Sequence, residues 1–287
     1  SLLWLNESSM ACNIRLYPHH IKTLLLDRGY GEAGIYTGNL TMTDISLKAA
    51  RNAYFCYMFG GLLRRVACRI RPYECEPGET DQVLEQSIAI LADGFRGRIS
   101  KEEALERVIS RFELIETRAA ERPQVAIFGD LYVRDNRVMN QNLIRFIERQ
   151  GGEVITTPYS EYAKMIAGAY FRKWFYEGKY FDVVSNRAIL AAMVYLEKKY
   201  SQFFDRILGE SLHTYEQTPA EILRKYHISV ENTGESMDNI LKIHYIHKYY
   251  PDVSLFVQAS PALCCASMIT EAMKQRIEEK TGIPVVS

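Results

Sequence analysis

The second half of the chain alternates short apolar runs with longer stretches of helical period, and this alternation restricts the possible folds more than any other feature. The runs QVAIFGDLYV, EVITTP, VSLFVQA and IPVV predict four strands. Between the first two, VMNQNLIRFIERQGG predicts a helix that its paired glycines end. Strands that alternate with helices form parallel sheets with helices on both faces. The pattern therefore predicts an α/β fold.

The first half of the chain repeats this pattern in a shorter form. LLWL and AGIYTG predict strands, and YPHHIKTLLLDRG between them predicts a helix. From Thr43 to about Arg118 the pattern is helical almost throughout, with an interruption at RPYECEPGETD. A charged helix end then meets a proline and a new strand near Glu121–Pro123. We therefore predict two domains, an incomplete α/β domain with a following helical segment in residues 1–121 and an α/β domain with a helical insertion in residues 122–287.

The composition argues against several classes of protein. Lys+Arg and Asp+Glu each number 35, so the net charge is zero and no basic field favours nucleic acid. No apolar run approaches the roughly 20 residues that cross a bilayer, and the first residues do not have the pattern of a signal peptide. Six scattered cysteines without such a signal are typical of reduced thiols in the cytoplasm. We expect two of them, Cys56 and Cys68, to pack in the core.

Two cysteine sites carry the most specific chemistry in the sequence. Cys264 and Cys265 stand between a predicted strand and a predicted helix, and Cys12 lies in the polar segment NESSMACN. The N-terminus of a helix stabilises negative charge, and thiolate is the form that binds iron or zinc. No CxxC pair occurs, and Cys12 and Cys264 are far apart in sequence. Metal or cluster ligation and simple packing therefore both remain open for these cysteines.

A second polar group follows the first strand of the second half. The segment GDLYVRDNRVMNQN brings Asp130, Arg134 and Asn140 to the carboxyl end of that strand. In open α/β sheets ligands bind at this edge, so we predict that the three residues line a cleft. The alternative is a charged loop in which Asp130 caps or pairs locally. No P-loop, GxSxG or HExxH motif occurs, so the sequence predicts no P-loop nucleotide site and no known catalytic motif.

Four segments of the chain resemble one known family. They are RPYECEPGETD, GDLYVRDNRVMNQNLIRFIERQGGEV, CCASMITEAMKQRIEEKTGIPVVS and, in a less complete form, ACNIRLYPHHIKTLL. They are similar to one region of the acyl-CoA dehydratase activase-related proteins. That region itself resembles 2-hydroxyacyl-CoA dehydratase subunits and the D component of benzoyl-CoA reductase. The segments stand in the family's order and span almost the whole chain.

The resemblance implies Rossmann-like parallel sheets with large helical insertions. It also implies an iron–sulfur cluster (4Fe-4S) on three cysteines, reduced by a separate ATP-hydrolysing activator. Of the family's cluster ligands, Cys12 and one of Cys264 or Cys265 have counterparts here. Ala266 replaces the family's proline, Met10–Ala11 replaces its Gly-Pro, and no third matching cysteine is evident. The activator's ATPase motifs are also absent, so we expect the chain to be one section of a larger protein.

The function that the resemblance implies is an iron–sulfur electron-transfer or reductase component. It would receive a low-potential electron from an ATP-dependent activator and act on a CoA thioester, in the cytoplasm and without nucleic acid or membrane as a partner. The cofactor would be bound at Cys12, Cys264 and Cys265. The alternative is a non-catalytic interaction or regulatory domain that keeps the fold without a cluster. Whether the chain is an enzyme therefore stays open at this stage.

Overall fold

The structure is a computed structural model that describes residues 2–5, 16–37, 46–209, 213–230 and 237–287. It is a mixed α/β structure with parallel sheets, which confirms the predicted fold class at this level. The strands are β1 (Leu2–Trp4), β2 (Gly34–Tyr36), β3 (Gln124–Gly129), β4 (Glu153–Thr156), β5 (Val253–Ala259) and β6 (Val285–Val286). The helices are α1 (Tyr17–Asp27), α2 (Leu47–Ile70), α3 (Glu79–Arg96), α4 (Lys101–Glu113), α5 (Leu143–Arg149), α6 (Tyr159–Tyr176), α7 (Tyr180–Leu208), α8 (Pro219–Lys225), α9 (Asp238–Tyr249) and α10 (Cys265–Thr281).

The four strands predicted in the second half form one parallel sheet in the order β4-β3-β5-β6. β3 pairs with β4 on one side and with β5 on the other. After β3 the chain therefore adds β4 on one side of that strand and later adds β5 on its other side. β1 and β2 form a separate parallel pair, as the short alternation in the first half predicts.

Local sequence signals explain where several helices begin. Thr218 and Glu221 form a capping box at α8, because each side chain accepts a hydrogen bond from the other residue's backbone N–H. In RPYECEPGETD, the Glu74 carboxylate accepts hydrogen bonds from the backbone N–H groups of Gly78 (2.7 Å) and Thr80 (2.8 Å). Gly78 has a φ of +94°, which a glycine adopts without strain. This motif is therefore a rigid turn that starts α3.

Apolar side chains cover both faces of the sheet and fill the helical part. One cluster joins Phe128 and Phe256 to α8, α9 and α10, and a second lies between the sheet and α5. A third cluster packs α2, α3, α4 and α7 around stacked and edge-on aromatic rings. Cys68 is buried as predicted, and burial raises the pKa of its thiol to about 12. Cys56 is exposed on α2, which corrects its predicted place in the core.

Among the described residues, no helix is both long enough and apolar enough to cross a membrane. The division into domains at residues 121 and 122 stays a prediction. The sheet places the carboxyl ends of β3 and β5 side by side, and the polar groups of the second half gather at that edge.

Candidate functional site

A polar cleft opens where the chain changes direction along the sheet, at the carboxyl ends of β3 and β5. In open α/β sheets this reversal of strand order is the usual position for a ligand. The cleft encloses about 360 Å³ and is open to solvent. It is lined by Gly129, Asp130, Leu131, Tyr162, Asp238, Asn239, Lys242, Cys264 and Ala266. These residues come from β3, α6, α9 and the turn before α10, which are distant in sequence.

Gly129 allows the ends of β3 and β5 to approach each other closely. Its φ is +123°, and a Cβ atom added there would lie 2.3 Å from the carbonyl oxygen of Ala259. The next residue continues the contact, because the backbone N–H of Asp130 donates to the Ala259 carbonyl (3.0 Å). The floor of the cleft is therefore a backbone contact that a side chain at position 129 would disrupt.

Asp130 both lines the cleft and caps the turn that follows it. One carboxylate oxygen, Oδ1, accepts hydrogen bonds from the backbone N–H groups of Tyr132 (2.9 Å) and Val133 (2.8 Å). Asp130 therefore lies on the cleft and also forms the local cap that was the alternative interpretation.

Arg134 and Asn140, which we predicted to line the same cleft, do not lie on its wall. Arg134 is only 2% exposed, and its Nη2 donates to the carbonyl oxygen of Thr157 (2.5 Å). Burial lowers the pKa of its guanidinium, although Asp135 opposes this effect. The Asn140 side chain donates to the Arg134 carbonyl (2.8 Å) and accepts from the N–H of Leu143 (3.3 Å). Both residues hold the loop between β3 and α5 in place.

The two adjacent cysteines lie in the strand–turn–helix context that the sequence predicts. Cys264 is the N-cap of α10 and Cys265 is its first residue, and both are half-buried. Cys264 lines the cleft, whereas Cys265 is not among the lining residues. The N–H groups of a first helical turn have no intrahelical partner and favour negative charge nearby. Cys12, the third predicted ligand, lies outside the described residues, so its distance from Cys264 stays untested.

The back wall of the cleft is built by α9 and was not predicted from the sequence. Lys242 is 3% exposed, and its Nζ donates to the carbonyl oxygen of Gly129 (2.8 Å). The same ammonium lies 5.3 Å from the ring centroid of Tyr162, whose hydroxyl donates to the carboxylate of Asp238. Asp238 and Lys242 are four residues apart in the otherwise apolar segment DNILKI. This spacing places both charges on one face of a largely buried helix. It was the sequence signal that could have indicated a charged wall of the cleft.

Neighbouring histidines on α9 do not form a ligand pair. The Nε2 atom of His244 lies 2.8 Å from Oε1 of Gln217. Burial, helped by the charge of Lys225, lowers the pKa of His244 to about 4. Within the described ranges, no group of three or more His, Cys, Asp or Glu residues is arranged to hold a metal ion.

A second cavity lies between α2, α6 and α7 and is lined by buried charges. Its volume is about 420 Å³ when space open to solvent is included. The Lys164 ammonium lies 2.5 Å from the Glu197 carboxylate, and His213 Nδ1 lies 3.5 Å from Glu161 Oε1. Burial alone would raise the pKa of Glu161, but the hydrogen bond from His213 and the nearby cations lower it to about 2. Glu161 is therefore a carboxylate in the folded protein.

Comparison with protein-family models, with curated proteins and with solved structures found no match to this chain. The fold and the cleft therefore define an α/β protein with a polar, thiol-bearing site at the reversal of strand order.

Proposed function

We propose that the protein is an iron–sulfur electron-transfer or reductase component whose site is the cleft at the carboxyl ends of β3 and β5. The supporting observation is the position of Cys264, at the N-terminus of α10 and on the wall of that cleft. The proposal includes the Rossmann-like fold of two units, residues 1–121 and 122–287. Its support is the all-parallel sheet and its reversal of strand order between β3 and β5.

The cleft offers one of the ligands that a cluster needs. Cys264 supplies a soft sulfur ligand at the N-terminus of α10, and Cys265 is adjacent. Among the residues that the structure describes, the cleft presents only the thiol of Cys264, so further ligands must come from elsewhere, and Cys12 is the candidate. A bound cluster would supply the low-potential electron that reduction of a CoA thioester requires. The cluster's partner would be an ATP-hydrolysing activator.

The chain's own residues would orient the ligand and fix the thiol. The turn before α10 sets the position of Cys264, because its N–H donates to the carbonyl of Pro261 (3.2 Å) and its carbonyl accepts from Met268 (2.9 Å). Lys242 adds a positive charge at the back of the cleft.

The second candidate is a non-catalytic interaction or regulatory domain that keeps the fold without a cluster. One observation favours it: no group of three or more potential metal ligands occurs in the part of the chain that the structure describes. In that case the cleft would serve protein contacts, and Cys264 would be a half-buried thiol at a helix end.

The experiment is anaerobic purification and reconstitution with iron and sulfide, followed by iron analysis and the absorbance near about 400 nm that such clusters give. We expect Cys264→Ser and Cys12→Ser to lose iron, and Cys265→Ser to retain more of it. The matched control is Cys56→Ser, because that thiol is exposed on α2, away from the cleft. Colourless, iron-free wild-type protein under these conditions would refute the proposal and leave the non-catalytic alternative.

A further inference from the structure

The outward face of α7 exposes an unusual amount of apolar surface. Phe181 is 83% exposed, Val184 68% and Tyr195 70%. Ala188 and Ala191, which lie between them, are exposed as well. These five residues follow the spacing 3, 4, 3, 4 and therefore form one continuous stripe, the spacing that packs one helix against another. We call them the α7 stripe.

The opposite face of α7 is already occupied. Val183, Tyr200 and Phe204 are buried, and the helix packs through this side against α2, α4 and α6. A helix with apolar residues on both its inner and its outer face normally lies inside a structure. Single exposed apolar residues are common on protein surfaces, but a contiguous patch of this length marks an interaction site. The α7 stripe therefore needs a cover.

We propose that the α7 stripe binds the same stripe of a second copy of this chain, antiparallel, with the two-fold axis at Ala188. The order of residue sizes along the stripe carries this assignment. Antiparallel pairing about Ala188 places Phe181 of one copy opposite Tyr195 of the other, while Val184 and Ala191 lie opposite the small flanking residues Ala192 and Ser185. Large side chains thus flank a centre of small ones, which lets the helix backbones approach where they cross. A two-fold interface requires this kind of self-complementary surface.

The exposed area is close to what a stable dimer needs. The exposed apolar residues of the stripe and its flanks are Tyr180, Phe181, Val184, Ala188, Ala191, Ala192, Val194 and Tyr195. With side-chain areas scaled by their exposed fractions, they offer on the order of 700 Å² per copy, against the roughly 800 Å² per partner of standard interfaces.

Charges beside the stripe do not oppose this pairing. The positions that flank it are Tyr180, Ser185, Arg187, Ala192, Val194 and Lys199. Arg187 lies with its guanidinium 5.6 Å from the ring centroid of Phe171, and Lys199 pairs with Glu102 (2.5 Å). Each of the two cations in this set therefore already has a partner within its own copy, and the remaining flanking side chains are neutral. This proposal is independent of the function proposed for the cleft.

The test measures self-association of the full chain by sedimentation equilibrium over nanomolar to high-micromolar concentrations. We expect a dimer, and we expect Ala188→Glu to weaken it by about 100-fold or more, because two carboxylates would meet at the axis. Ala89→Glu is the matched control, since Ala89 is exposed in the middle of α3. Thermal melts of both variants show whether each one folds, and only folded variants are compared.

A second variant locates the contact directly. Under mild oxidation Ala188→Cys should form a covalent dimer, whereas Ala89→Cys should stay unlinked. Mass spectrometry of the Ala188→Cys dimer should show that both linked peptides contain position 188. A wild-type chain that stays monomeric at all concentrations overturns the proposal, and so does a dimer that Ala188→Glu leaves intact. A monomer that floats with lipid vesicles, or one captured through this face by a different protein, also overturns it.

Discussion

The close approach of β3 and β5 at Gly129 leads to a sharp prediction about stability. Gly129 and Gly178 both have a positive φ, +123° and +74°. A Cβ added at Gly129 would lie 2.3 Å from the Ala259 carbonyl oxygen and 2.8 Å from Oγ of Ser260. At Gly178 nothing lies within 4 Å of the added atom. Gly178→Ala therefore tests backbone conformation alone, and Gly129→Ala tests conformation together with the contact.

The expected magnitudes differ by several kcal/mol. A non-glycine residue with a positive φ costs about 1–2 kcal/mol, which is the whole effect expected for Gly178→Ala. At Gly129 the inserted atom must also displace the backbone of β5, and overpacking of this kind costs about 1–3 kcal/mol. The hydrogen bond from the Asp130 N–H to Ala259 would weaken too, at about 1 kcal/mol. We therefore expect Gly129→Ala to lower the free energy of unfolding by about 3–6 kcal/mol.

Urea unfolding followed by circular dichroism and by tryptophan fluorescence measures both variants against the wild type. Because the two probes report different parts of the molecule, coincident transitions show that a single free energy applies. If Gly129→Ala falls within about 1 kcal/mol of Gly178→Ala, the close contact does not constrain the floor of the cleft and the reasoning is wrong.

Two further predictions concern buried carboxylates. Glu153→Gln should destabilise the protein by about 2 kcal/mol, because Glu153 is buried and accepts two hydrogen bonds of 2.9 Å from Nη1 of Arg69. Urea unfolding measures the loss of stability. The control is Glu121→Gln, which should change the stability little because Glu121 is exposed. Glu161 has a folded pKa lowered to about 2, so its contribution is present above its unfolded pKa of about 4.5 and is lost as the pH falls between these values. Glu161→Gln should therefore flatten the acid side of the stability profile, and an unchanged profile would mean that the contact with His213 does not hold this carboxylate ionised.

The sequence predicted those features of the fold that depend on neighbouring residues. The strands of the second half and the turn at Cys264 each follow from a local pattern, and each is present. Features that depend on packing were missed. The spacing of Asp238 and Lys242 places both charges on one helix face, but only the packing of α9 against β3 turns that face towards the cleft. Arg134 was placed in the cleft by its distance from a strand end, yet the loop turns its side chain towards Thr157.

The exposed apolar face of α7 is another feature that depends on packing and that the sequence alone does not predict. The sequence of α7 has apolar residues on two faces, and these give an ambiguous period. The structure separates the faces, because one packs against α2, α4 and α6 and the other does not. Periodicity predicts the helix, but the packing of the rest of the chain determines which of its apolar residues stay exposed.

The electrostatics of the cleft help to distinguish between possible ligands. Phosphates bind at helix N-termini through backbone N–H groups, usually where glycines permit a close approach. The turn before α10 has no glycine, and Leu263 takes the positive φ there, at +60°. Asp130 and Asp238 also line the cleft, so a free anion would meet two carboxylates. The arrangement therefore argues against phosphate binding at this turn.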